Sequence, residues 1–369
     1  MAKHPVLSIC IPTYNRSGAL SRTLENLERE IAGLEGKVEI CISDNCSPDD
    51  TGKIVDKWKE KLPITYNRNK ENMGYDINAL RAMQIAQGEF CWFMGDDDKV
   101  VPGAVKRLLG DIDMHGEGLA AIAVAYMHNG KAVPDYDLQH FQAFSTKENY
   151  PPSLIGFMGQ ICVRRKMAEE IAGEKIHIEG KMLLKREEDP LLLYDYIPTY
   201  LFIECLAKGG KFGIEPAPLI EVLAAAEAIS DEKSMHFGLL PLLYMSHIRK
   251  HYPWLCHQDL RRLYIKYHFV KAAIAARRPD LEWAYDANRD VLLNLLETYD
   301  DKPGIALISA FEAARKLPLA GAAISGAHRA ARKLTGSKTV HVEASEYAKK
   351  NLELAVERAI DGGYAKRGS

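Results

Sequence analysis

The run Phe90-Cys91-Trp92-Phe93-Met94-Gly95 ends in three consecutive carboxylates, Asp96, Asp97 and Asp98. Adjacent carboxylates repel one another, so such a cluster needs a cation or an array of donors to hold it. A hard divalent ion, Mg2+ or Mn2+, held by one or two carboxylates and completed by a substrate diphosphate, meets that need. The same triplet could also be a solvated turn ahead of a helix begun by Pro102. An apolar run closed by a polar break reads as a buried strand, and in an open α/β sheet ligands bind beyond the carboxyl ends of such strands. The acids are therefore expected in a crevice.

Strands and helices must alternate to build that crevice. Val6 to Ile11 reads as a first strand stopped by Pro12, which cannot donate to a ladder. Leu20, Leu24, Leu27 and Ile31 recur at helical spacing behind it. Val38 to Ser43 is a second strand, also ending in acid and amide at Asp44-Asn45. Ser47 and Pro48 fit the N-cap and first turn of a helix carrying Ile54 and Trp58. A weaker strand, Ile64 to Asn67, precedes Asn72-Met73-Gly74 and a helix with Ile77, Leu80 and Met83, which Gly88 closes. Short connections between alternating elements predict a mostly parallel sheet with helices on both faces.

Such alternation invites a dinucleotide fold, but the first turn reads Pro12-Thr13-Tyr14-Asn15-Arg16 where GxGxxG would stand, and no GxxxxGK[ST] loop occurs. Phosphates must be held in another way, most simply by a metal. Four blocks, Ile9 to Arg16, Ile42 to Thr51, Asn72 to Gly74 and Gly88 to Asp98, resemble in order and spacing the family 2 glycosyltransferases with the GT-A fold. The resemblance is firm over residues 5 to 110 and looser to 222.

It implies a GT-A catalytic domain over residues 1–225, a nucleotide-sugar donor (UDP- first, CDP- as another choice), a divalent metal, inversion at the sugar, and a glycan or lipid-linked acceptor. Thr13, Tyr14 and Arg16 would line the nucleotide pocket together with Asn72, Asp44 would accept a hydrogen from a pyrimidine base, and Asp96 would face the ribose. Asp97 would be the principal metal ligand and Asp98 the other candidate, because many members carry an acid where this chain has Gly95. The general base would be an acid ahead of the helix at Tyr200 to Ala207: Asp195, between two tyrosines in an apolar stretch, or Asp189, in a charged run. Other readings of the same features are a pyrophosphorylase, which lacks support in the first turn, and a nucleotide-sugar-binding module without turnover.

Composition bounds the rest. At 369 residues two domains are expected, and 47% hydrophobic residues suffice for ordinary cores. A net charge of -2 gives no general argument for nucleic acid. The seven cysteines are scattered with no CxxC pair, which points to free thiols in a reducing compartment rather than zinc. The first residues lead straight into a strand and no apolar run is long enough to span a bilayer, so a cytoplasmic protein is expected, able to sit peripherally at the inner face of the membrane.

Leu119 to Tyr126 and Gly159 to Val163 read as further strands, with a polar, Pro-rich loop from Asn129 to Pro152 between them. Beyond residue 225 the pattern is helical, and residues 226–369 are expected to form an all-helical domain. Its histidines, His247, His251, His257 and His268, lack HExxH spacing and read as packing or surface residues. Gly304 to Lys338 is Ala-rich and basic, the pattern of a segment that lies on an anionic membrane or of a packed helical hairpin.

Overall fold

A computed structural model of the chain describes residues 4–128, 130–133, 138–145, 158–179, 182–185, 197–222 and 260–276, then 278–315, 346–361 and 365, with isolated positions between 230 and 246. It divides into two compact units, residues up to Ala224 forming the main body of the first and Ala225–Ser369 that of the second.

The first unit is a mixed, mostly parallel sheet flanked by helices. Its successive strands are β1 (Leu7–Thr13), β2 (Val38–Asp44), β3 (Ile64–Arg68), β4 (Phe90–Phe93), β5 (Lys99–Val100), β6 (Leu119–His128), β7 (Lys131–Val133), β8 (Gln142–Ser145) and β9 (Ile161–Arg164). A small hairpin, β10 (Ile176–Glu179) and β11 (Met182–Lys185), stands apart, and β12 (Lys211–Glu221) returns to the sheet. The order is β3-β2-β1-β4-β9-β6-β12-β5, with β7 and β8 pairing β6 and β12. The first four strands in that order are parallel, and so are β6 and β12, whereas β9 runs antiparallel to both β4 and β6. Alternation of apolar runs with helical spacing thus gives the expected architecture.

The helices are α1 (Ser17–Glu30), α2 (Thr51–Lys59), α3 (Tyr75–Gln84), α4 (Ala104–His115), α5 (Arg165–Lys175) and α6 (Ile197–Lys208). Leu20, Leu24 and Leu27 of α1 are fully buried against a core that includes Ile9, Ile40, Phe90 and Trp92. Burying one such aliphatic side chain is worth about 1.5–3 kcal/mol.

Two local expectations change. β1 does not stop at Pro12 but continues to Thr13, in register with Ser43 and Asp44 of β2. Cys10 turns its carbonyl toward the β4 side, accepting from the Met94 N–H. Pro12, two residues on, faces the same side, where the β4 ladder has already ended at Cys10, so its missing N–H breaks no ladder bond. Ser47 does not cap a helix: α2 begins at Thr51, whose N–H is taken by Asp49 Oδ1 at 3.1 Å, while Ser47 Oγ accepts the Asn15 N–H at 2.8 Å.

A buried acid pair lies where α4 packs on β12. Asp111 of α4 and Glu215 of β12 are 6% and 3% exposed. Burial, with the hydrogen bond and charge of Glu215, pushes the Asp111 carboxyl up to about 8. A carboxyl raised in the folded state keeps a proton that the unfolded chain releases, so its contribution to stability is full below about pH 4 and is lost as pH rises through about 8. Asp111→Asn is expected to flatten the fall in thermal midpoint between pH 5 and 8. Parallel pH profiles for the variant and the parent protein would contradict that assignment.

In the second unit, α7 (Leu260–Ala275), α8 (Glu282–Thr298), α9 (Lys302–Arg315) and α10 (Glu346–Asp361) pack around Val291, Leu292, Leu295, Leu296, Leu352 and Ala359, all buried. His268 lies inside this core, 3% exposed, with Nε2 at 3.0 Å from the Tyr285 hydroxyl. His247, His251 and His257 lie outside the described residues, as does the part of the basic Gly304–Lys338 run beyond Arg315. No helix among the described residues is long and apolar enough to cross a membrane.

Candidate functional site

The carboxyl ends of β1, β2 and β4 are neighbours in the sheet, and the turns that leave them meet. Thr13, the last residue of β1, donates its hydroxyl to Asp96 Oδ2 at 2.7 Å. Arg16, at the start of α1, places Nη1 3.1 Å from Asp96 Oδ1 and 2.8 Å from Asp97 Oδ2. Tyr14 stands beside them, 43% exposed, and Asn15 takes the left-handed backbone conformation at φ 54° that turns the chain between strand and helix. Four residues expected at the donor site, Thr13, Tyr14, Arg16 and Asp96, are thereby brought together with Asp97.

The three acids have different surroundings. Asp96 is 5% exposed and its carboxyl is raised, chiefly by burial, against the lowering influence of Thr13 and Arg16. Asp98 is also 5% exposed: its Oδ2 accepts the Gly95 N–H at 2.8 Å, and burial with the charges of Asp97 and Asp96 pushes it up to about 7. Asp97 alone projects, its side chain 48% exposed. A Cβ on Gly95 would lie 2.9 Å from Asp98 Oδ2 and 3.1 Å from Asp97 Oδ1, so a larger residue there would require these two carboxylates to shift. Asp98, the other of the two expected metal ligands, closes the turn with its Oδ2.

Asp44 lies at the end of β2 with no exposed surface. Its Oδ1 accepts the Ser47 N–H at 2.8 Å, and its Oδ2 accepts the Tyr66 hydroxyl at 2.7 Å with Arg68 Nε at 3.3 Å. Burial and the Asp44 charge push the Tyr66 phenol up. The half-exposed Arg68 guanidinium also donates to the Ser47 carbonyl at 2.7 Å, so it covers the acid from the solvent side. Asn72 Oδ1 accepts from Asn45 Nδ2 at 2.8 Å and from the Gly74 N–H at 3.0 Å. Its amide is held within an asparagine network with Asn45, Asn69 and Asn78.

Tyr66 and Arg68 were not singled out from sequence, and neither was Thr23. Their signal is weak, because an exposed strand-edge arginine and a mid-helix threonine look like surface and packing residues until the sheet order places them. Asp189 and Asp195, the two base candidates, lie outside the described residues. The described residue nearest to Asp195 is Ile197, the first of α6, whose N–H is taken by the buried Asp76 Oδ1 at 3.0 Å.

Among the described residues no group of three or more His, Cys, Asp or Glu is arranged to hold a metal by itself. Asp97, with Asp96 behind it, nevertheless fits an ion that takes one or two carboxylates from the protein and the rest from substrate phosphates and water. Arg16 now supplies the positive charge between these two acids. The donor set is all oxygen, which suits Mg2+ or Mn2+.

Residues 8–172 match the family model described as Glycosyl transferase family 2. An abequosyltransferase of Salmonella typhimurium, RfbV, is 37% identical over 115 residues, 30% of this chain and 34% of that protein. The GalNAc(5)-diNAcBac-PP-undecaprenol beta-1,3-glucosyltransferase of Campylobacter jejuni is 31% identical over 108 residues, 28% of this chain and 34% of its own. The matched stretch therefore spans about a third of the length of either relative. A mannosyltransferase of Pyrobaculum calidifontis, solved with GDP-Man and Mn2+, superimposes with a TM-score of 0.54 and 13% identity, over 99% of this chain and 88% of that one. That likeness shows the fold.

Proposed function

Because residues 8–172 carry a family 2 glycosyl transferase domain, we propose that the protein moves one sugar from a nucleotide sugar to a glycan or lipid-linked glycan acceptor, with inversion and with the aid of a divalent metal. The observation that carries this reading is the projecting Asp97 carboxylate, ion-paired to Arg16 at 2.8 Å beside the Thr13–Asp96 hydrogen bond at the carboxyl edge of the sheet.

Thr13, Tyr14 and Arg16 form one wall for the nucleotide. Tyr14 offers its exposed ring to the base or ribose, and Asp96, oriented by Thr13, accepts from a ribose hydroxyl. Asp44 and Arg68 meet the edge of the base, where an imide hydrogen reaches Asp44 once the Arg68 guanidinium yields. This favours a uridine nucleotide, with cytidine next. Asn72 shapes this wall through Asn45 and Gly74. Asp97 would be the first ligand of the metal, with Asp98, whose Oδ2 closes the turn, as the other candidate. A divalent ion held there would supply positive charge against the negative charge that develops on the leaving nucleoside diphosphate.

The acceptor hydroxyl attacks the sugar C1 from the face opposite the diphosphate, the C1–O bond to phosphate breaks, and the hydroxyl proton passes to a carboxylate. Asp195 is the base we assign, in preference to Asp189, because it stands between two tyrosines in an apolar stretch close before α6, whereas Asp189 ends a charged run. Lipid-linked acceptors fit a cytoplasmic protein lying peripherally at the inner face of the membrane. In the basic run 304–338 Arg315 is taken by Glu282 and Glu312, so a membrane contact would fall to the basic residues beyond it in sequence, which lie outside the described residues.

Incubation with UDP-, CDP- and GDP-sugars, Mn2+ and a glycan acceptor tests this reading. Free nucleoside diphosphate and an extended glycan are expected, and Asp195→Asn should lower transfer by about 10²-fold or more while donor affinity stays. Pyrophosphate chemistry, or binding with no turnover, would overturn it, and near-normal turnover in Asp195→Asn with loss in Asp189→Asn would move the base.

A further inference from the structure

The acid turn is held from behind by two polar side chains that the catalytic reading does not use. Thr23, in the middle of α1 and 2% exposed, directs Oγ1 at two carbonyls of that turn, Asp96 O at 2.9 Å and Asp98 O at 3.0 Å. These carbonyls flank Asp97. Asn26, one turn further along the same helix face, pairs with the next strand in both directions: the Val100 N–H donates to Oδ1 at 2.7 Å and Nδ2 donates to the Val100 carbonyl at 3.1 Å.

Helix chemistry makes this arrangement unexpected as mere filling. Threonine inside a helix commonly satisfies its hydroxyl on the carbonyl three or four residues back, and both threonine and asparagine are poor helix formers. Here neither side chain bonds within α1: Thr23 lies among the buried leucines that face the core, and Asn26 is partly exposed. A hydroxyl proton shared by two carbonyls draws the backbone on either side of Asp97 toward one point. The Asp97 side chain is then left pointing outward, as its 48% exposure shows.

We infer that Thr23 and Asn26 are positioning residues for the acid turn, setting the direction of the Asp97 carboxylate toward a divalent cation through the backbone of Asp96, Asp98 and Val100. The inference rests on the metal reading given above. Neither residue touches the substrate, and their effect should be read in metal affinity before any turnover.

The test is Mn2+ titrated into the intact chain, with and without UDP, followed by loss of the free-ion electron paramagnetic resonance signal. Thr23→Val keeps the shape and β-branching but removes the hydroxyl. It is expected to weaken Mn2+ binding by about tenfold, the lower end of what removal of an outer hydrogen-bond partner does to a metal site. Thr23→Ser, which restores the hydroxyl, should recover most of the parent affinity, and metal-free UMP binding should be the same in all three proteins. Asn26→Ala, at a partly exposed position, is expected to act in the same direction and serves should Thr23→Val not fold. Unchanged Mn2+ affinity in folded Thr23→Val or Asn26→Ala would overturn the inference, and so would equal loss in Thr23→Ser. No Mn2+ binding by the parent protein, with or without UDP, would overturn the metal reading itself, and the inference with it.

Discussion

Asp97→Asn is expected to lower sugar transfer by about 10³-fold, the upper end of what loss of one preorganised electrostatic group does, while leaving the fold intact. Two observations separate function from stability at this position. The Asp97 side chain is half exposed, and its ion pair to Arg16 involves a guanidinium that is itself 45% exposed. Exposed pairs contribute little to stability, typically about 0–1 kcal/mol. The neighbouring acids are different, since Asp96 takes the Thr13 hydroxyl and Asp98 the Gly95 N–H in nearly complete burial. Asparagine keeps the shape of Asp97 but offers a hard cation only a neutral carbonyl oxygen. Mn2+-dependent transfer at the parent rate in Asp97→Asn would remove Asp97 from the site.

The second large effect is on folding. Gly88→Ala is expected to cost about 3 kcal/mol, the upper end for forcing an extra group into a close-packed interior. A Cβ on Gly88 would stand 2.5 Å from Ser8 Oγ, 2.8 Å from the Ser8 backbone nitrogen and 3.0 Å from the Leu7 carbonyl carbon. The hydroxyl could rotate away, but the backbone of β1 could not without moving. The Gly88 N–H is also held, by Ser8 Oγ at 2.9 Å and Glu39 Oε1 at 3.0 Å, so the residue cannot withdraw. Because β1 ends at Thr13, displacement at Ser8 would reach the donor site as well. A urea midpoint unchanged in Gly88→Ala would show that the strand yields more easily than its packing implies.

Much of this was legible in the residues. Buried parallel strands announce themselves as short apolar runs, and Val38 to Ser43 or Phe90 to Met94 could hardly be placed elsewhere. Gly88 was legible as punctuation but not in its cause. It reads as a helix terminator, yet α3 ends at Gln84 and Gly88 is needed for its close approach to β1. Pro12 reads as a strand stop because sequence does not tell which side of a strand its missing N–H will face. Ser47 reads as a helix cap because its competing partner, the Asn15 N–H, is 32 residues away. The family resemblance assigned Asp96 to the ribose and Asp97 first to the metal, but the different surroundings of the three acids, set by Thr13, Arg16 and Gly95 in the folded turn, could not be read from three identical side chains. Tyr66 and Arg68 joined the site through register, since β3 lies beside β2 with Arg68 opposite Asp44.

The central claim is that this turn binds a nucleotide sugar through a metal held by Asp97, and ligand-induced stabilisation of the intact chain tests it most directly. Thermal unfolding would be followed with a panel of UDP-, CDP- and GDP-sugars, each with Mn2+ and with a chelator. At a donor concentration of 100 times its dissociation constant, the account predicts about 2.7 kcal/mol of added stability for one nucleotide class. Most of that gain should vanish with the chelator and in Asp97→Asn. Equal stabilisation with and without metal, or none by any nucleotide sugar, would contradict it.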